Sequence, residues 1–231
     1  MLIRLTDELD RLKQAAAESA AAQITNGMIV GLGSGSTAAF AVQALGRRIR
    51  EGLRITGIPT SERTAAQARA LEIQLSTLDE HSKIDVTIDG ADEVDPKLQL
   101  IKGGGGALLR EKIVATNSKQ VIIVADESKW VATLGKFPLP VEVVHFGWER
   151  TFDKLQMLGC EAKRRMKGTT PYLTDNGNYI VDCAFGEIKD PQLLQELVNA
   201  ITGVVDNGLF IHIASKLVLG LNNGETRVIS S

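Results

Sequence analysis

The hydrophobic positions in the first half of the chain form short apolar runs that alternate with amphipathic stretches. Three runs rich in Val and Ile predict buried strands, at residues 28–33, 84–88 and 121–126. Apolar residues at three-and-four spacing predict helices over residues 34–50 and 61–71 and from Ala107 onward. Strands that alternate with helices indicate an α/β fold with a doubly wound, mainly parallel, Rossmann-like sheet.

The pattern changes near Lys136, where two prolines interrupt an apolar stretch. Pro138 and Pro140 are typical of an edge strand or of a crossing between domains. From there to about residue 210 the pattern predicts a strand, a helix, two strands, a helix and a strand, which is the ferredoxin-like α+β order. We therefore expect an inserted ferredoxin-like domain at residues 133–205. The Rossmann-like domain that bears the chemistry would be formed by residues 1–132 and 206–231.

Composition and charge argue against several classes of partner. The formal net charge of −2 and the pI of about 6.0 indicate no basic surface for nucleic acid or for anionic lipid, so we expect neither partner. Cys160 and Cys183 are far apart and lack CxxC spacing, which signals neither a disulfide framework nor a zinc site. The sequence has no features of a signal peptide or a membrane span, which predicts a cytoplasmic location.

Acidic residues follow the strand at 84–88. Asp89 and Asp92 come where this strand gives way to a loop, which in an open α/β sheet is the side that binds ligands. Further on, Lys102 precedes four glycines, Gly103 to Gly106. Glycines lose much conformational freedom on ordering and offer no packing, but their N–H groups at a helix start can bind an anion. This stretch therefore predicts a site for an anionic ligand.

Glu111 lies on the apolar stripe of the helix after the glycines, on the same face as Leu108 and Val114. Burial disfavours the charged form of a carboxyl group and raises its pKa, which suits a proton-transfer base. The alternative is an ordinary surface residue paired with the cation just before or just after it.

A second glycine-rich stretch follows the strand at 28–33. Its spacing is GxGxG and not the dinucleotide-binding GxGxxG, and the next strand ends in two hydroxyl residues where an acid for a ribose hydroxyl would be expected. A Walker loop is excluded because no lysine precedes Ser36 and Thr37. The hydroxyls of Ser34, Ser36 and Thr37 around Gly35 suit a phosphate or a sugar, although helix capping alone explains one of them.

Basic residues occur at two further places. Lys129 follows the strand at 121–126, at the same end of the predicted sheet as the acids, where it either reaches an anionic ligand or is a solvated surface lysine. The run of Arg164, Arg165 and Lys167 lies in the inserted domain, and we expect it to form a solvated strand face.

These motifs resemble those of ribose-5-phosphate isomerase of the metal-independent A type. The resemblance lies in DGADEVD and IKGGGGALLREKIVA at residues 89–115, with VGLGSGSTA before them and ADESK and GKFPLPVEV after them, in the same order as in that family. It implies an enzyme that interconverts D-ribose 5-phosphate and D-ribulose 5-phosphate through an enediolate, with no metal and no other cofactor. It also implies a homodimer or a homotetramer.

The resemblance implies roles for individual residues. Glu111 would be the proton-transfer base, Lys102 would stabilise the oxyanion, and Asp89 and Asp92 would move or orient hydroxyl groups. The implied substrate-binding residues are Lys13, Ser34, Gly35, Ser36, Thr37, Asp89, Gly90, Ala91, Asp92, Lys102, Gly103, Gly104, Gly105 and Lys129.

Two functions from other classes compete with this interpretation. The first is a regulatory domain that binds a sugar phosphate without turnover, which should have a helix-turn-helix where the pattern predicts a single helix before the first strand. The second is a metal-dependent enzyme in which Asp89, Asp92, Glu93 and Asp95 hold Mg²⁺.

Overall fold

The computed structural model describes the backbone of residues 2–230 and the side chains of residues 8–230. It contains two units. The first comprises Met1–Ala91, Arg110–Trp130 and Ile213–Ser231, and the second comprises Asp92–Leu109 and Val131–His212. Within residues 2–230, each helix is too short or too polar to span a lipid bilayer.

The elements alternate along the chain much as the apolar pattern predicts. The helices are α1 (Leu2–Ala21), α2 (Ser36–Arg50), α3 (Glu62–Ala70), α4 (Leu108–Thr116), α5 (Trp148–Gln156) and α6 (Pro191–Asn199). The strands are β1 (Ile29–Leu32), β2 (Thr56–Pro59), β3 (Ile84–Gly90), β4 (Glu93–Val94), β5 (Leu100–Ile101), β6 (Ser118–Asp126), β7 (Leu139–Val143), β8 (Glu161–Arg164), β9 (Met166–Lys167), β10 (Thr170–Pro171), β11 (Tyr179–Ala184), β12 (Val204–Asn207), β13 (Leu209–Phe210), β14 (Lys216–Gly220) and β15 (Thr226–Ser230).

The first unit is built on a six-stranded sheet in the order β15-β14-β6-β3-β1-β2. Every neighbouring pair is parallel except β14 with β15, so the carboxyl ends of five strands meet at one edge. The predicted doubly wound, mainly parallel sheet is confirmed.

Helices cover both faces of this sheet. Apolar residues of α1 and α2 pack with residues of the central strands in one core cluster, which includes Ala17, Val42, Val86 and Val124. On the opposite face Val114 of α4 packs with Ile58 of β2 and Ile84 of β3. The sequence forms these layers because apolar residues of the central strands, such as Val86 and Val124, are buried beneath the apolar faces of the helices.

The second unit has a four-stranded antiparallel sheet in the order β12-β7-β11-β8. The helices α5 and α6 connect its strands in the predicted split order, and the ferredoxin-like arrangement is confirmed. A three-stranded sheet in the order β13-β5-β4 belongs to the same unit. Its pairing places residues 92–109 in this unit, so the unit is larger than the predicted insert of residues 133–205.

Candidate active site

Several of the predicted site residues of the first unit lie at the carboxyl edge of its parallel sheet. Ser34 to Thr37 follow β1, Asp89 and Gly90 end β3, and Lys129 follows β6. Because β1, β3 and β6 are parallel neighbours, these three segments leave the sheet at the same edge. In open α/β sheets this edge is where ligands bind.

Asp89 is fixed by the backbone at the end of β1. Its side chain is buried, and its Oδ1 accepts hydrogen bonds from the backbone N–H groups of Ser34 at 3.0 Å and Gly90 at 2.8 Å. Hydrogen bonds from N–H groups to a charged carboxylate are stronger than those between neutral groups, so these two hold the Asp89 carboxylate in one orientation. Gly33 makes the close approach possible, because a methyl group at that position would overlap the Asp89 carboxylate.

The hydroxyl of Ser34 points into a buried cluster of hydroxyl groups. It lies 2.8 Å from Thr60 Oγ1, 2.8 Å from Ser61 Oγ and 3.2 Å from Thr64 Oγ1. Thr64 in turn donates to the carbonyl oxygen of Gly33 at 3.1 Å. The sequence interpretation offered the Ser34 hydroxyl to a ligand, whereas in the structure it braces the turn that holds Asp89. The two hydroxyl residues that follow β2, Thr60 and Ser61, are the sequence signal for this cluster.

The start of α2 presents backbone N–H groups at this edge. The residue before the helix is Gly35, with φ of 100°, and it supplies no side-chain cap. Ser36 is exposed and Thr37 is buried in the first turn. The amides of a first helical turn attract an anion, and the dipole of a helix this long adds to that attraction.

Glu111 is buried on α4, with only 4% of its surface exposed. The helix ends near the start of β3, since Ile84 N–H donates to the carbonyl oxygen of Asn117 at 3.0 Å, so α4 runs antiparallel to the strands. Its Val114 packs close to Gly31 and Thr87. Glu111 lies one helical turn before Val114, and Asp89 lies two residues beyond Thr87 on the same face of β3. Both carboxylates therefore lie toward the carboxyl edge, on the face of the sheet that α4 covers.

The alternative interpretation of Glu111 as an ordinary surface residue is wrong, because the residue is buried. Its neighbour Arg110 donates a hydrogen bond to Glu62 of α3 at 2.8 Å. The Arg110 guanidinium beside Glu62 holds the pKa of that exposed carboxyl below its ordinary value.

Lys102 and the glycine turn, residues 103–106, belong to the second unit. Lys102 is 3% exposed, and its ammonium group lies 5.4 Å from the centroid of the Phe210 ring. The backbone N–H of Gly104 donates to Asp92 Oδ2 at 2.7 Å, and that of Gly106 closes the turn on the carbonyl oxygen of Gly103 at 2.9 Å. The turn thus already binds one anion, the Asp92 carboxylate, instead of offering all its amides to a ligand.

Most of the glycines in this turn have a structural reason. Gly103 and Gly106 have φ angles of 103° and 81°, a region that side-chain-bearing residues rarely adopt. A methyl group on Gly104 would overlap the Asp92 carboxylate. The bare backbone is therefore needed both for the shape of the turn and for the approach of Asp92.

The two predicted lysines of the first unit occupy different elements. Lys129 ends a 3-10 turn, Glu127–Lys129. Asp126 caps the start of this turn by accepting a hydrogen bond from Ser128 N–H at 3.1 Å. Lys13 lies on α1 with its Nζ 3.3 Å from Asp10. The preceding residue of α1 is packed directly against Gly220, the carboxyl end of β14, which brings α1 to the same edge of the sheet.

Glu93 and Asp95 serve the backbone of the second unit. Glu93 accepts hydrogen bonds from the N–H groups of Gly135 at 2.7 Å and Phe137 at 2.6 Å. Asp95 Oδ1 accepts from two N–H groups of the turn that follows it, each at 2.9 Å. Because both carboxylates already accept hydrogen bonds from loop N–H groups, the structure weakens the case for a Mg²⁺ site built from these two acids and the two aspartates before them.

Comparisons with known proteins agree on one family. The sequence profile of ribose 5-phosphate isomerase A (phosphoriboisomerase A) matches residues 56–224. The chain is 53% identical over 214 residues to ribose-5-phosphate isomerase A of Bacillus mycoides, covering 92% of this chain and 97% of the relative.

Solved structures show the same similarity in three dimensions. Ribose 5-phosphate isomerase from Plasmodium falciparum is 39% identical with a TM-score of 0.93, over 96% of this chain and 99% of that one. A D-ribose-5-phosphate isomerase solved in complex with phospho-erythronic acid is 38% identical with a TM-score of 0.92, over 95% of this chain and 97% of that one.

Proposed function

The chain belongs to the ribose 5-phosphate isomerase A family, and we propose that it interconverts D-ribose 5-phosphate and D-ribulose 5-phosphate with Glu111 as the proton-transfer base. The enzyme is an aldose–ketose isomerase, as its relatives are named. The observation on which the assignment of the base depends is the buried Glu111 carboxylate on the face of β3 that also presents Asp89.

The reaction moves a proton between C1 and C2 of the open-chain sugar through an enediolate. Glu111 removes the proton from one carbon and returns it to the other, which a carboxylate shielded from water does well. Asp89 exchanges protons with the sugar hydroxyls during ring opening and isomerisation. Hydrogen bonds from two backbone N–H groups hold its carboxylate in one orientation for this role.

Lys102 and Asp92 act on the oxygens of the sugar. The Lys102 ammonium stabilises the oxyanion that develops along the reaction path, and its burial strengthens that interaction. Asp92, held by the Gly104 amide, orients a sugar hydroxyl. The phosphate and the remaining oxygens bind the first turn of α2 at Ser36 and Thr37, the backbone of Gly103 to Gly105, Lys129 and Lys13.

Two further features of the protein belong to this proposal. A cytoplasmic location is supported by Cys160 and Cys183, which are both free, buried thiols of the kind kept reduced in that compartment. Assembly into a homodimer or homotetramer is supported by large exposed apolar side chains on the second unit, with Phe146 94% and Met157 83% exposed. A second copy of this chain is the partner that we propose for them.

The assay that tests the function is turnover of ribose 5-phosphate in excess chelator. We expect full activity, because the proposed mechanism uses only side chains and backbone amides. Activity that disappears with chelator and returns with Mg²⁺ would favour the metal-dependent alternative. Binding of ribose 5-phosphate without any turnover would favour the sensing alternative.

Replacement of Glu111 by Gln tests the base. Glutamine keeps the shape of the side chain but cannot accept the proton, so kcat should fall by roughly 10² to 10⁴ while KM changes little. Steady-state kinetics on the purified variant measure both values. Retention of more than a tenth of the wild-type kcat would remove Glu111 from this role.

Replacement of Lys102 by Met tests the oxyanion assignment. The oxyanion exists only along the reaction path, so the variant should lose more in kcat than in substrate affinity. Calorimetry with ribose 5-phosphate, alongside the kinetics, separates the two effects. If the substrate no longer binds, Lys102 is instead an anchor for the phosphate.

Sedimentation at micromolar concentration tests assembly. A specific interface buries at least about 1,000 Å², so we expect no more than a trace of the 24.9 kDa monomer. Phe146→Ser should shift the distribution toward monomer by removing an exposed apolar contact. A wild-type protein that sediments as a clean monomer with full activity would refute the assembly proposal and leave the assignment of Glu111 untouched.

A further inference from the structure

Arg165 lies between β8 and β9, and its side chain is only 15% exposed. Its backbone is bonded on both sides, because its N–H donates to the carbonyl oxygen of Ile180 at 2.8 Å and its own carbonyl accepts from Tyr172 N–H at 3.0 Å. The expectation of a solvated basic strand face is therefore wrong for Arg165, although Lys167 is exposed as expected.

The guanidinium of Arg165 connects Asp182 to the glycine turn. Its Nε and Nη2 donate to the two carboxylate oxygens of Asp182 at 3.0 and 2.5 Å. Its Nη1 donates to the carbonyl oxygens of Gly103 at 2.8 Å and Gly104 at 3.1 Å. The planar fork of arginine allows this combination, since one edge is fixed by the carboxylate while another nitrogen reaches two acceptors.

These carbonyl bonds also determine where the amides of the turn point. The peptide bonds of the turn are trans, so each carbonyl and the N–H of the next residue point in opposite directions. Holding the Gly103 carbonyl orients the Gly104 N–H, which is the group that binds Asp92 at 2.7 Å. Holding the Gly104 carbonyl orients the N–H of Gly105, an exposed residue that is proposed to bind substrate. A charged donor on the carbonyl side also polarises each peptide group.

Tyr172 fixes the next peptide group in the same way. Its hydroxyl donates to the carbonyl oxygen of Gly105 at 3.3 Å, and its ring lies where a side chain on Gly106 would be. Arg165 and Tyr172 stand at the base of one hairpin, formed by β9 and β10. The loop after the hairpin is anchored by Glu142, a fully buried carboxylate whose Oε1 accepts from the side chains of Thr174 and Asn178, each at 2.9 Å.

We infer that Arg165, held by Asp182, is a positioning residue of the isomerase, which sets the direction of the Gly104 and Gly105 amides and through them the placement of Asp92 and of a substrate oxygen. The inference rests on the proposed function of Asp92 and of the glycine turn. The inferred role accounts for the contacts that Arg165 and Tyr172, at the base of the hairpin, make with this turn. It requires no contact between Arg165 and the substrate.

The test compares Arg165→Met with Arg164→Met. The neighbouring Arg164 is a matched control, since its guanidinium stacks 4.3 Å from the ring centroid of Trp148 and no bond of its side chain to the glycine turn is seen among the described residues. A misplacement of about 1 Å in a site can cost 10²-fold, so kcat/KM of Arg165→Met should fall roughly 10- to 100-fold. The control should keep kcat/KM within about twofold of wild type, since its guanidinium packs on Trp148 and not on the glycine turn.

Three further measurements separate positioning from folding. Arg165→Met should bind phospho-erythronic acid more weakly by calorimetry, while its midpoint of thermal unfolding shifts no further than that of Arg164→Met. Arg165→Lys should restore part of kcat/KM, because an ammonium group can still reach a glycine carbonyl but cannot also hold both oxygens of Asp182. Asp182→Asn should weaken the pairing with Arg165, and its kcat/KM should lie between the values of wild type and Arg165→Met.

The outcomes decide the inference in either direction. A kcat/KM of Arg165→Met within twofold of wild type, or a loss equal to that of Arg164→Met, overturns it. If Arg165→Met does not fold, Arg165→Lys decides, and unchanged kinetics of that variant overturn it as well. Glu111→Gln is measured beside them, so that failure of the assigned base and failure of the positioning role are read from different variants.

Discussion

The hydrogen bond from the Ser34 amide to the Asp89 carboxylate is the constraint on which the site in the first unit depends. It joins the ends of two parallel strands that are 55 residues apart in sequence. Gly33 must lack a side chain for this bond to form, and the hydroxyl cluster beneath Ser34 must hold the turn in place. Because each of these groups restrains the next, the orientation of Asp89 is set by backbone amides that a buried cluster of hydroxyl groups holds in place.

The second unit fixes one of its proposed site carboxylates by the same means. Asp92, like Asp89, is a carboxylate whose position is set by a backbone amide in a glycine-rich turn. In both turns a glycine leaves the space that the carboxylate occupies. The two units share no sheet, yet each uses a backbone amide to orient a carboxylate.

The sequence predicted features that depend on local periodicity. The apolar stripe of α4 placed Glu111 among buried residues, and the structure confirms its burial beside Leu108 and Val114. Strands β1, β3 and β6 of the parallel sheet were predicted because each contains a short run rich in Val and Ile. Features made by pairs distant in sequence were missed. The short strands β4, β5 and β13 have two residues each, and Arg165 binds a turn 62 residues earlier, so neither leaves a periodic signal.

The interruption of the first unit by the second has a consequence for synthesis on the ribosome. Strand β14 pairs with β6 in the middle of the sheet, yet it is translated only after residues 131–212, which complete the second unit. Until then the edge of β6 that pairs with β14 presents unpaired backbone N–H and C=O groups, and such an edge in a nascent chain is prone to pair with other chains. The parallel sheet of the first unit can therefore be completed only after the whole of the second unit has been synthesised.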